Sequence, residues 1–114
     1  MEQTEKDIEK RLVTLFSKDR VDAWRKQFGK RKLNIIEVED AVAVLQPITA
    51  DEIAHYSMMV TDPEGGLVNA SRYILETLWL DGDERIKEDE DYFISAMLQV
   101  QHTMDVKKSA FYRL

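Results

Sequence analysis

The stretch that decides the fold is Ala70–Leu114, ASRYILETLWLDGDERIKEDEDYFISAMLQVQHTMDVKKSAFYRL. Its first half carries Leu67, Ala70, Ile74 and Leu78 at helical spacing, and Val68, Leu75 and Trp79 widen the stripe. Apolar residues three and four apart share one helix face, so a helix is expected from Leu67 to Leu80. Asp81-Gly82-Asp83 is expected to stop it, since glycine adopts the backbone that ends helices. The second half repeats Phe93, Met97, Val100, Met104, Lys107, Phe111 and Leu114 in steps of four and three, an a/d-type seam broken only by Lys107. Asp89, Glu90 and Asp91 stand where that helix should begin, and Lys107, Lys108 and Arg113 near its end, each suited to the helix dipole. A short connection between the two implies an antiparallel helical hairpin. Such a seam ordinarily builds the intramolecular core; the sharper reading is that the part near Phe111 and Leu114 docks a partner helix.

Working outward, Thr49-Ala50-Asp51-Glu52 is a capping box that starts a helix with Ile53, Tyr56 and Val60 on one side. Met58 and Met59 are adaptable apolar residues. Asp62-Pro63-Glu64-Gly65-Gly66 is a turn. Leu33–Val38 and Val42–Leu45 are rich in β-branched residues and flank Glu39-Asp40, which reads as a β-hairpin. A three-residue loop sets Ile36 and Val38 against Val44 and Val42; a two-residue loop sets Val38 against Ala41. The first register is preferred because it gathers the large apolar residues. Pro47 ends the second strand, having no N–H for a ladder. Thr4–Phe16 and Lys18–Phe28 read as helices, with Ser17 as the cap of the second and Gly29 as its stop; whether the chain breaks or only kinks between them is open. The expected fold is thus α+β, a mostly helical domain with one β-hairpin and a C-terminal helical hairpin. One domain is expected over residues 1–114, residues 1–19 forming an N-terminal helix.

The chain of 114 residues has no cysteine and a net charge of −6, with a pI near 4.9. A disulfide scaffold, a cysteine zinc site and thiol catalysis are excluded. Residues 1–20 are charged throughout, unlike a signal peptide, and no apolar run has the length of a membrane span, so a cytoplasmic protein is expected. The acidic balance argues against nucleic acid. The local exception is Arg25, Lys26, Lys30, Arg31 and Lys32 around Trp24 and Phe28. Basic residues with interleaved aromatics can bind a nucleic-acid backbone, but Trp and Phe four apart also mark a core face.

Catalytic chemistry is hard to place. His55 and His102 lack a spaced partner for a metal. The acidic run from Asp81 to Asp91 lacks the ligand order of a calcium loop. Gly65-Gly66 lacks the Lys-Ser/Thr of a phosphate loop. No serine stands in a nucleophile elbow. No enzyme, cofactor, metal or small-molecule substrate is expected. A lone hairpin is marginal in water, so its open edge must pair or pack, and it becomes a candidate interaction surface. The candidate partner-binding residues are Ile36, Val38, Val42 and Val44 of the hairpin, and Met104 and Phe111 of the last helix. Charge at Val42 or Phe111 is expected to weaken assembly while leaving helical circular dichroism intact.

Several segments together, Ala23–Lys30, Ile36–Asp40, Leu45–Thr49, Ile74–Lys87, Phe93–Ala96, Val106–Lys108 and Leu114, resemble in order and spacing the small tail assembly chaperone-like proteins of tailed bacteriophages and prophages. The resemblance spans about Arg20 to Leu114; Met1–Phe16 lies outside it. It implies a non-enzymatic factor in the cytoplasm of a bacterial host that self-associates or binds a tape-measure or tail-tube protein. It carries over no catalytic or ligand residue. A structural virion protein, such as a connector or tail component, and a nucleic-acid-binding regulator are the rival readings.

Overall fold

The computed structural model describes the backbone of residues 5–112 and the side chains of residues 7–105. Where one domain is expected, the chain divides into two compact units, Met1–Lys32 and Leu33–Leu114, each described by itself.

The first unit holds α1 (Glu5–Phe16) and α2 (Lys18–Phe28). Ser17 breaks the chain between them at φ 81°, and its Oγ accepts a hydrogen bond from the Arg20 N–H at 3.4 Å. Leu12, Val21 and Trp24 are buried, and Phe16 meets the Trp24 ring edge-on at 5.7 Å. Gly29, at φ 62°, ends α2 by donating its N–H to the Arg25 carbonyl.

The second unit is α+β. Its sheet holds β1 (Asn34–Val38), β2 (Ala41–Leu45) and β3 (Trp79–Gly82), all antiparallel in the order β1-β2-β3. The helices are α3 (Ala50–Val60), α4 (Gly66–Leu78), the single turn α5 (Arg85–Glu88) and α6 (Glu90–Tyr112). The hairpin forms, but in the two-residue register: Val38 pairs with Ala41, Ile36 with Ala43 and Ile35 with Val44. Glu39 takes φ 51°, and positive φ at the first turn residue is what lets a two-residue turn follow the strand twist. Alternation then puts Ile36, Val38, Ala41, Ala43 and Leu45 on one face, in the same core as Ile74, Leu75, Leu78, Ile86, Phe93 and Ala96. Val42 and Val44 point to the other face and are buried as well.

The second departure is at Trp79–Gly82. The helix expected to reach Leu80 ends at Leu78, and the chain continues as β3 along the far edge of β2. The Asp83 N–H donates to the Val42 carbonyl at 3.0 Å and the Gln46 N–H to the Leu78 carbonyl at 2.8 Å. Backbone groups that a bare hairpin would leave unpaired are satisfied in this way. The two long helices pack together as anticipated, with β3 and α5 in place of a simple turn.

The capping box holds: the Glu52 carboxylate accepts from the Thr49 N–H at 2.8 Å and from its hydroxyl at 2.7 Å. Asp89 caps α6, its Oδ1 accepting from the N–H groups of Asp91 and Tyr92. Along the seam, Phe93, Val100 and Met104 are buried and Met97 packs against the core; Phe111 and Leu114 lie outside the described side chains. Ser71 is fully buried on α4 and its Oγ has no hydrogen-bond partner. Ser71→Ala is therefore expected to raise stability by about 1 kcal/mol, because an unsatisfied buried hydroxyl carries its full desolvation cost. The urea midpoint checks this.

Candidate functional site

The site begins with the free side of β1. Strand β3 covers one edge of β2, and β1 remains the other edge of the sheet. In an antiparallel pair, alternate residues turn N–H and C=O toward the partner strand or away from it. Glu37 turns them away, toward α6. There its N–H donates to Gln99 Oε1 at 3.3 Å, and its carbonyl accepts from Gln99 Nε2 at 2.8 Å. One side-chain amide thus fills the two places a neighbouring strand would fill. Ile35, two residues back, presents its N–H and C=O to the same side, and no hydrogen bond to them is made by the described residues.

Away from Glu37, a groove of about 420 Å³ opens between β1 and α6. Asn34 and Ile35 form one wall, and Leu98, Gln99 and His102 the other. Ile48, Ile74 and Met104 lie beneath. Helical spacing places Ile94 and Leu98 one turn apart on α6, off the buried seam, at 44% and 56% exposure. Leu98 stands in the wall of this largely apolar groove, and a large apolar side chain held in water there has the composition of a protein-docking surface.

Of the residues singled out from sequence, Ile36 and Met104 line this groove, but as buried side chains at its base. Val38, Val42 and Val44 are buried in the sheet away from it and offer nothing to a partner. β2 runs between β1 and β3, and its five side chains are buried on both faces of the sheet. The Phe111 side chain lies outside the described residues. The two surfaces expected separately, hairpin edge and last helix, meet in one groove. Sequence reasoning missed Ile94, Leu98, Gln99 and Ile35. The signal for the first two was a second apolar pair, four apart and one residue past the seam positions Phe93 and Met97.

The polar groups in the groove bond mainly to one another. The Thr103 hydroxyl donates to the Gln99 carbonyl at 2.9 Å, and Ser95 Oγ accepts from Gln99 Nε2 at 3.4 Å. Neither hydroxyl is bonded to His102, so no nucleophile–base pair is formed. No group of three or more His, Asp or Glu side chains is placed to hold a metal among the described residues. His55 instead meets Tyr73, whose hydroxyl lies 3.2 Å from Nδ1, across α3 and α4. Trp24 is 8% exposed, which withdraws its ring from base stacking in the basic segment.

The acidic run has a structural role. Arg85 makes a fork onto Asp83 (Nη2 to Oδ2 2.7 Å) and reaches Asp40 in the hairpin turn at 3.2 Å. Its guanidinium lies 4.9 Å from the Tyr92 ring centre, and the Tyr92 hydroxyl donates to Asp40 Oδ1 at 3.0 Å. This latch joins the β1–β2 turn to α5 and α6. The Tyr92 hydrogen bond and then the Arg85 bond hold the Asp40 carboxyl below its ordinary value of 3.8, and Arg85 does the same for Asp83. The Asp40 bond in turn raises the Tyr92 phenol. Carboxyls depressed by folding stabilise the folded state above their unfolded value, and that contribution is lost as pH falls through the folded value. Arg85→Gln is therefore expected to lower the urea midpoint slightly at pH 7, and the gap from wild type should narrow as pH falls below the ordinary carboxyl value of 3.8. Equal gaps at both pH values would contradict the latch.

Charge is divided between the units. Residues 1–32 hold 10 Lys and Arg against 6 Asp and Glu, a net of +4; residues 33–114 hold 6 against 16, a net of −10. The two sum to the −6 of the chain. Among the described residues no helix is long and apolar enough to cross a membrane. No family model matches the chain, and no curated protein or solved structure matches it either.

Proposed function

We propose that this chain is a non-enzymatic protein-binding factor of bacteriophage tail assembly, with the groove between β1 and α6 as its docking face. The observation that carries the binding part is the exposed Leu98 in the wall of the groove opposite Ile35, with Ile94 exposed one turn before it on α6. The assembly part rests on the resemblance of Arg20–Leu114 to tail assembly chaperone-like proteins, and the partner it suggests is a tape-measure or tail-tube protein in the host cytoplasm. Affinity capture from a lysate of phage-producing cells, with wild-type and Leu98→Lys baits, tests it. Leu98 is more than half exposed, so the variant should fold normally. The expected result is a tail protein held by wild type and lost with Leu98→Lys, and absence of the bait from purified particles. Stoichiometric incorporation into particles would instead favour a structural virion protein.

A further inference from the structure

Between α1 and α2 stands one residue in a conformation that its side chain disfavours. Ser17 lies at φ 81° and ψ 151°, a region occupied almost entirely by glycine, because a Cβ crowds the neighbouring backbone there. Where φ is positive at Gly29 and Gly65, the chain does place glycine. Ser17 is exposed, so its own packing does not fix it. Helical hydrogen bonds reach the break from both sides: the Ser17 N–H donates to the Val13 carbonyl at 2.9 Å, and the Ser17 carbonyl accepts from the Val21 N–H at 3.2 Å. The conformation is therefore imposed by the two helices folding back on each other. Glu9 Oε2 lies 3.8 Å from Arg25 Nη2, Phe16 meets the Trp24 ring, and Leu12, Val21 and Trp24 are buried.

A strained one-residue link between two mutually packed elements is the setting in which copies of a chain exchange an element. Opening at Ser17 in one copy alone releases the strain but puts the apolar faces of α1 and α2 in water. Opening in two copies releases it twice, and each α1 can cover the α2 that the other copy uncovered. The occupant is a second copy because the surface that α2 offers is the one its own α1 already fits. We propose that Ser17 is a hinge through which two copies of this chain exchange α1, each copy's α1 packing on its partner's α2. The released strain offsets entropy lost on association, and the exchanged dimer gains as concentration rises. The exchange concerns residues 5–28 and stands independently of the groove.

Cross-linking together with sedimentation velocity on the full chain tests it. The chain has no cysteine, so Glu9→Cys and Arg25→Cys each place one reactive thiol at a half-exposed position. Copies with Glu9→Cys are mixed with copies with Arg25→Cys and treated with a short bismaleimide. The expected result is a covalent heterodimer, in a yield that rises with concentration and exceeds that from Glu9→Cys copies alone. Ser17→Gly relieves the closed form and should weaken the dimer at least about tenfold. Ser17→Ala keeps the Cβ and should leave the dimer no weaker. A dimer that gives no such cross-link would mean that copies meet on another face, and would overturn the exchange. So would a chain that stays monomeric up to millimolar concentration, or equal dimer constants for Ser17→Gly and Ser17→Ala.

Discussion

Val42→Asp is expected to destabilise the fold strongly at neutral pH, and not to yield a stable, binding-defective protein. Read from sequence, Val42 is a surface position at a hairpin edge; in the structure it is 5% exposed on the central strand, and its carbonyl is engaged by the Asp83 N–H. An ionised carboxylate there loses most of its hydration. The penalty is about 4 kcal/mol or more, against a total stability of about 5–15 kcal/mol for a domain. The sign with pH is distinctive. Burial raises the folded-state pKa of the introduced carboxyl, so the variant should recover stability as acid neutralises it. Circular dichroism melts at pH 7 and pH 5 would show a large loss that narrows on acidification. A native-like melt at pH 7 would restore Val42 to the surface.

Gly82→Ala carries the next largest effect. A Cβ at Gly82 would lie 2.6 Å from Ala43 Cα, 2.7 Å from Ala43 Cβ and 2.9 Å from the Val42 carbonyl oxygen. Backbone of a central strand cannot yield as a flexible side-chain tip does, so β3 must move off β2 or the sheet must distort. Overpacking of this kind costs about 3 kcal/mol, which lowers the melting midpoint by roughly 10–20 °C in a unit of this size. Differential scanning calorimetry measures it directly. A change of only a degree or two would mean that Trp79–Gly82 is not paired to β2 and that a helix end stands there instead.

Features that depend on neighbours in the chain were legible in the sequence. The capping box at Thr49–Glu52, the stop at Gly29 and the acidic start of α6 are set by groups within four residues, so residue type and spacing suffice. The turn register was not. It depends on Glu39 adopting a positive φ, which its residue type does not announce and which the pull of the flanking strand pairs decides. Nor was β3. Trp79 continues the helical period of Ile74, Leu75 and Leu78, but the unpaired edge of β2 takes it as a strand. The groove was hidden for the same reason. It depends on a bond between Glu37 and Gln99, 62 residues apart, and on which side of α6 the core leaves uncovered. The candidate residues were chosen for being apolar, and apolarity is also what buried Val38, Val42 and Val44.

The most direct test of the docking face is amide hydrogen exchange on the full chain, alone and bound to the partner captured with the wild-type bait. The expected result is slowed exchange at Ile35 and along 94–103, with β2 unchanged because it is already interior. Slowed exchange confined to the basic helices of residues 5–28, or to α3 around the exposed Met58, would place the partner elsewhere and contradict it.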